Sequence, residues 1–208
     1  MITYETGKRI LDLVLAIVLA IVFSPAFLLA PIIIKLTSPG PVVYGQKRVG
    51  KGGKKFTIYK FRSMVTNADE IIANDKKLLK KFKESDWKLD MKDDPRITKC
   101  GAFMRTFTID EFPQLWNVIR GEMSIIGPRA YRAQEIKDQV RKHPEAKKLI
   151  RQILKVKPGI SGPWQTSGRN EVPFMERARM DAEYAQSRSL WKDIKIILKT
   201  PAAMISKW

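Results

Sequence analysis

The sequence predicts an α+β protein, predominantly helical, with an N-terminal helical hairpin embedded in a membrane, one small β-hairpin, and amphipathic helices lying at the interface. Three observations carry this reading. The run from Leu13 to Ile34 holds no charge and is interrupted by Ser24-Pro25. Two β-prone runs flank the Gly50-Lys51-Gly52-Gly53 turn. Over much of the remainder, apolar residues recur at helical spacing among lysines and arginines.

The uncharged run is long enough to cross a bilayer as one helix. It is a poor signal peptide, because no small-residue cleavage site follows and Thr37-Ser38-Pro39-Gly40-Pro41 reads as a rigid turn. Proline removes a backbone donor and clashes with the preceding turn, while a neighbouring serine hydroxyl can satisfy a freed carbonyl. Ser24-Pro25 therefore bends the helix at a cost tolerable in lipid, and Pro31 weakens its second half. A kinked spanning helix and a re-entrant hairpin both fit. Lys8 and Arg9 at one end, with Lys47, Arg48, Lys51, Lys54, Lys55, Lys60 and Arg62 after the other, draw both ends to the cytoplasmic face and favour the hairpin.

Residues 42–49 and 54–61 form the expected β-hairpin. Gly45 to Lys51 matches the opening of a phosphate-binding loop, G-x-x-x-x-G-K. Gly52 stands where a Ser or Thr must hold the metal and a strand follows instead of a helix, so the match is rejected. Gln46, Arg48, Lys60 and Arg62 can face an anion from this sheet, or form a solvated basic ribbon. Residues 68–83 read as one amphipathic helix with Ile71, Ile72, Leu79 and Phe82 in phase, and residues 84–94 as an exposed linker.

Asp110 and Glu111 open the segment Asp110-Glu111-Phe112-Pro113-Gln114-Leu115-Trp116-Asn117. They are expected at the N-terminus of a short helix, with Pro113 in its first turn and Gly121 as its stop. Such a pair can simply cap a helix and complement its dipole. Arg105 before it and Arg129 after it point to chemistry instead. With His143 and Cys100 the only residues of their types, a nucleophile or metal ligand must be sought chiefly among oxygens.

A basic helix is expected from Arg129 to His143, stopped by Pro144. A second carries Ala146, Leu149, Ile150, Ile153 and Leu154 opposite Lys147, Lys148, Arg151 and Lys155, the pattern of an interfacial or a core helix. The Pro158–Asn170 stretch is too rich in glycine and proline for regular structure. Its Trp164, Gln165, Arg169 and Asn170 could stack on and bond a base and sugar, or be purely structural. The segment from Leu190 to Trp208 pairs apolar and basic residues with tryptophans, apt at a lipid–water boundary.

A formal charge of +18 over 208 residues requires an anionic partner: nucleic acid, an anionic bilayer face or a phosphorylated substrate. A single cysteine excludes a disulfide framework and a CxxC zinc site.

Taken together, the broken segment with Ser24-Pro25, Ser38-Pro39-Gly40-Pro41, Tyr59-Lys60-Phe61-Arg62-Ser63-Met64, Asp94-Pro95-Arg96-Ile97-Thr98, Asp110-Glu111-Phe112-Pro113-Gln114-Leu115, Ile126-Gly127-Pro128-Arg129, and Pro158-Gly159-Ile160-Ser161-Gly162 with Gly168-Arg169-Asn170 make the sequence resemble the monotopic phosphoglycosyl transferases. These bacterial sugar transferases move a sugar 1-phosphate from a UDP-sugar to polyprenol (undecaprenyl) phosphate at the start of glycan or exopolysaccharide assembly. The resemblance implies a re-entrant membrane helix over 1–36, broken at Ser24 and Pro25, and a catalytic domain over 37–208 on the cytoplasmic face of the bacterial inner membrane. It implies Asp110 as nucleophile, Glu111 as its partner at a Mg²⁺ site, and Lys60, Arg105 and Arg129 near the phosphates; Arg62, Gln165 and Arg169, read above from the residues themselves, complete the expected substrate-binding set. It further implies a small, catalytic-unit-only member in contact with anionic lipid and not with nucleic acid, a homodimer being left open. Ala130 and Pro163 depart from the family's usual Pro and Leu, the first bearing on the rigidity of the Arg129 loop. A covalent aspartyl-phosphosugar intermediate with release of UMP is expected. The rival classes are a UDP-releasing glycosyltransferase and a non-catalytic, membrane-tethered basic binding protein.

Overall fold

The computed structural model describes residues 3–85, 89–168 and 172–204. Helices α1 (Tyr4–Val22) and α2 (Ser24–Thr37) meet at Phe23 with a bend of 60°. Pro25 lies in the first turn of α2, where its missing N–H would have no partner in any case, so the Ser-Pro pair restarts a helix. Pro31 does not interrupt α2. Among the described residues no single helix is long and apolar enough to cross a membrane; only the bent pair, taken together, is. Ile10, Val14, Ile17, Ile21, Leu28, Leu29, Ile32 and Leu36 all remain exposed along it.

The polar side of α1 is fastened to the rest of the chain. Asp12, 3 % exposed, accepts from the Ser124 hydroxyl at 2.9 Å and the Ile125 N–H at 3.0 Å. Arg9 donates to the carbonyls of Val118 and Ile119 at 2.6 and 2.7 Å. Ala30 and Ile34 of α2 join Phe61, Met104 and Phe112 in one core, and the Phe112 ring lies 4.5 Å from that of Phe23. The bend is thus seated directly behind the Asp110–Glu111 turn.

Strands β1 (Val43–Val49) and β2 (Lys55–Phe61) form the predicted antiparallel hairpin, Val43 opposite Phe61 and Val49 opposite Lys55. The expected single helix over 68–83 is two, α3 (Ala68–Asn74) and α4 (Lys76–Glu84), because Asp75 turns its carboxylate onto the N–H groups of Lys77 and Leu78 and caps a new start. The end of the expected exposed linker is buried: Asp94 grips Arg96 through two bonds of 2.7 Å, and both are 6 % exposed.

Helix α5 (Lys99–Thr106) is followed by a 3-10 turn at Ile109–Glu111 and then α6 (Gln114–Ile119). The acid pair therefore precedes the helix it was expected to open, and Pro113 occupies the cap position. Beyond Gly121 come β3 (Ser124–Ile126), α7 (Ala133–Lys142), α8 (Ala146–Ile153), β4 (Gly159–Ser161), α9 (Phe174–Ser187) and α10 (Leu190–Met204). β4 pairs in parallel with β3, so part of the Pro158–Asn170 stretch is regular structure after all. Ala16 of α1, Leu115 and Val118 of α6, Ile126 of β3 and Tyr184 of α9 share one core, and α8 and α9 build another around Ile150, Ile153, Phe174 and Ala178.

Candidate active site

The acid pair owes its position to a reversal of the chain. Thr108 has φ +58°, a left-handed conformation that a β-branched residue adopts at a cost on the order of 1–3 kcal/mol, and it swings the backbone from α5 into the 3-10 turn. Phe112 then locks into the core behind the turn. Asn117 of α6, fully buried, accepts from the Tyr59 N–H at 3.2 Å and donates to the Thr57 carbonyl at 2.7 Å. That clamp fixes β2 beside α6 and brings Lys60 to the turn.

Lys60 Nζ meets Glu111 Oε1 at 2.5 Å, and Gln114 Nε2 donates to Glu111 Oε2 at 3.2 Å. Burial opposes the charge on Glu111, but Lys60, Arg129 and Gln114 outweigh it and hold its carboxyl below the usual range. Asp110 is only 5 % exposed and forms no ion pair within 4 Å among the described residues. Burial and the neighbouring Glu111 push its pKa up to about 6, against the pull of Lys60 and Arg105. One acid of the pair is kept charged and held, while the other is left unpaired and more basic.

These residues open onto a cleft of about 380 Å³. Arg48, Lys60, Arg62, Arg96, Arg105, Arg129 and Arg132 line it together with Tyr44, Gln46 and Trp164. Arg105 is oriented by the Ser63 hydroxyl at 2.9 Å and closes no ion pair among the described residues. Arg129 follows β3 on a loop drawn tight at Gly127, where a side chain would meet the Lys157 carbonyl at 2.6 Å. The Arg129 N–H and the Tyr131 hydroxyl both donate to Asp181 of α9, at 3.0 and 3.1 Å, and the Arg129 guanidinium lies 5.3 Å above the Trp164 ring. The Arg129 loop is thus held from α9 despite Ala130.

Of the residues expected to bind substrate, Lys60, Arg105 and Arg129 converge on the acid pair's cleft. Arg62 lines it too, but its guanidinium is engaged with the carbonyls of Ser38 and Pro39 and anchors the turn after α2. Gln165 is not among the lining residues, whereas its neighbour Trp164 is. Arg169 falls outside the described residues. Sequence reasoning missed Asp181, whose role appears only when α9 meets the loop after β3, and it missed the Asp94–Arg96 pair and Arg132 at the cleft wall. Among the described residues no group of three or more His, Cys, Asp or Glu could by itself hold a metal ion.

A buried carboxylate beside a second one, ringed by fixed guanidinium and ammonium groups in an open cleft, has the chemistry to take an anionic, phosphate-bearing guest. The chain belongs to the bacterial sugar transferase family, matched over residues 3–207. It is 39 % identical over 207 residues to the undecaprenyl-phosphate galactose phosphotransferase of Salmonella typhimurium, covering 96 % of this chain and 40 % of that protein. It is 38 % identical over 204 residues to the exopolysaccharide production protein ExoY of Rhizobium meliloti, covering 97 % of this chain and 87 % of that protein. With the UDP-glucose:undecaprenyl-phosphate glucose-1-phosphate transferase of Escherichia coli it shares 39 % identity over 198 residues, 93 % of this chain and 39 % of that protein. The chain thus spans about two-fifths of the Salmonella and Escherichia relatives and most of ExoY.

Proposed function

We propose that the chain transfers a sugar 1-phosphate from a UDP-sugar to a polyprenol phosphate by double displacement at Asp110. The observation that carries this reading is the division of labour within the acid pair: Glu111 is bonded on both oxygens, and Asp110 is buried, without an ion pair among the described residues, and made more basic. An Asp110 oxygen attacks the β-phosphorus of the donor. The new bond is an aspartyl acyl-phosphate, the bond to the bridging oxygen breaks, and UMP departs with that oxygen. An oxygen of the lipid phosphate then attacks the same phosphorus and expels the Asp110 carboxylate. Arg105 and Arg129 face the cleft with no ion pair among the described residues and offset charge on the phosphoryl group in transit, while Lys60 keeps Glu111 ionised.

The donor set fits Mg²⁺. A hard cation bound through one or two carboxylates and substrate phosphates needs no third protein ligand, and Asp110 and Glu111 are adjacent hard oxygens at the cleft. Held there, the ion would supply further charge neutralisation on the phosphates. The Lys60–Glu111 bond must open or share its oxygen when the cation binds. Removal of the metal by EDTA abolishes turnover and Mg²⁺ restores it in this account; full activity after exhaustive chelation contradicts it.

The topology proposed with this chemistry is re-entrant. The exposed apolar face of the bent α1–α2 pair enters one leaflet and both ends stay on the cytoplasmic side, which sets the acid-pair turn, seated on the bend, beside the headgroup layer where a polyprenol phosphate lies. A panel of UDP-sugars incubated with the protein and polyprenol phosphate tests the assignment through the nucleotide released. UMP supports it, UDP would make the chain a glycosyltransferase, and no nucleotide from any donor would leave a binding protein.

A further inference from the structure

A second cavity, of about 60 Å³, shares no lining residue with the cleft. We propose that it is a separate phosphate site, in which Lys157, Lys51 and Arg9 take a phosphate group from a lipid headgroup or from solution. By the measure in which one water fills about 10–15 Å³, it has room for the four or five heavy atoms of such a group. Its walls carry more positive charge than their own acids neutralise. Glu5 is paired with Arg188 at 2.5 Å, and Asp12 is taken by Lys8 at 3.1 Å and by Ser124 and Ile125. The ammonium groups of Lys157, half-buried, and of Lys51, exposed, form no ion pair or hydrogen bond among the described residues. Arg9 spends two N–H groups on the carbonyls that end α6, which fixes its guanidinium with no acidic partner among the described residues.

Lys157 and Arg9 come together beside Gly121: a Cβ built there would lie in ordinary contact with both Lys157 Nζ, at 3.5 Å, and Arg9 Nη2, at 3.8 Å, which places the two cationic tips within reach of one guest. Burial lowers the Lys157 pKa, and Arg9 and Lys51 lower it further. Three convergent cations of which one is half desolvated are unfavourable alone, and an oxyanion relieves them through charge-assisted hydrogen bonds. The cavity lies at the root of α1. Under the topology proposed above a headgroup phosphate reaches it, whereas free phosphate reaches it under any topology.

Competitive acetylation of the purified full chain, read lysine by lysine by peptide mass spectrometry, tests the site. Inorganic phosphate is compared with chloride at equal ionic strength in nonionic detergent, and phosphatidylglycerol nanodiscs with phosphatidylcholine ones. Lys157 should be acetylated about tenfold more slowly with phosphate or phosphatidylglycerol, while exposed Lys142 is unchanged. Slowing by inorganic phosphate identifies the phosphate group itself as the ligand, and slowing only in phosphatidylglycerol identifies the lipid as its source; either supports the proposal. Lys51→Gln should raise the phosphate concentration needed, and Asp110→Asn should leave the protection intact, which separates this site from the acid pair. Equal Lys157 rates in every arm, or a slowing shared by Lys142, would overturn it.

Discussion

At the scale of single residues, the proposed chemistry turns on the proton affinity of Asp110. Its raised pKa, about 6, means the folded protein holds a proton that the unfolded chain has already released, so ionising this carboxyl costs stability as pH rises from near 4 through 6. Asp110→Asn removes that cost. It should abolish turnover and raise the melting temperature at pH 7.5, by up to about 3 kcal/mol in stability, with little gain left at about pH 3. A variant less stable than the parent at pH 7.5 contradicts the burial argument. Activity should fall as pH drops through 6, where the nucleophile is protonated. Lys60→Met withdraws the cation that lowers the pKa of both acids, and should move this acidic limb upward by about one unit while reducing the rate. An unmoved limb in kcat/KM would show that Lys60 does not act on the pair. That the acid pair, Lys60, Arg105 and Arg129 share one cleft was legible from residue type together with the family resemblance. The carbonyl-bound state of Arg62 was not, because which guanidiniums are spent on backbone depends on where the turn after α2 folds back.

At the scale of elements, hydrophobic and turn patterns located the β-hairpin to within a residue or so at either end, as well as α7, α8 and the break at Ser24-Pro25. They failed where a local cap or a distant partner decides the outcome. Asp75 splits one amphipathic pattern into two helices, and strands of three residues such as β3 and β4 carry too little pattern to be seen until they pair across the chain. The pairing has a purpose for the site, since the loop leaving β3 carries Arg129 and α9 holds it through Asp181. Removal of that carboxylate by Asp181→Ala leaves the Arg129 N–H and the Tyr131 hydroxyl without their acceptor, at about 1–3 kcal/mol each in stability. It should raise KM for the UDP-sugar more than it lowers kcat. An unchanged KM would remove the Arg129 loop from donor binding.

At the scale of the whole molecule, the bent pair and the acid pair form one device. Phe112, beside Glu111, packs on Phe23 at the bend, so under the proposed re-entrant topology the depth of the helix pair in a bilayer would set the height of the site. A single cysteine at exposed Thr6, in a Cys100→Ser background, should resist an impermeant thiol reagent in intact cells and react after permeabilisation. Labelling from outside would restore the spanning helix. The charge flanks favour the re-entrant reading over a spanning helix in the sequence; the contact between bend and acid pair was not legible there, because it joins segments far apart in the chain. The most direct test of the mechanism is intact-protein mass spectrometry of enzyme quenched after exposure to UDP-sugar and Mg²⁺ without lipid acceptor. Double displacement predicts up to one equivalent of UMP and a sugar-phosphate adduct on Asp110, absent in Asp110→Asn and still on Asp110, formed more slowly, in Glu111→Gln. A preparation that turns over normally with polyprenol phosphate, yet shows no adduct and no acceptor-independent UMP, would contradict the covalent mechanism and leave Asp110 a metal ligand.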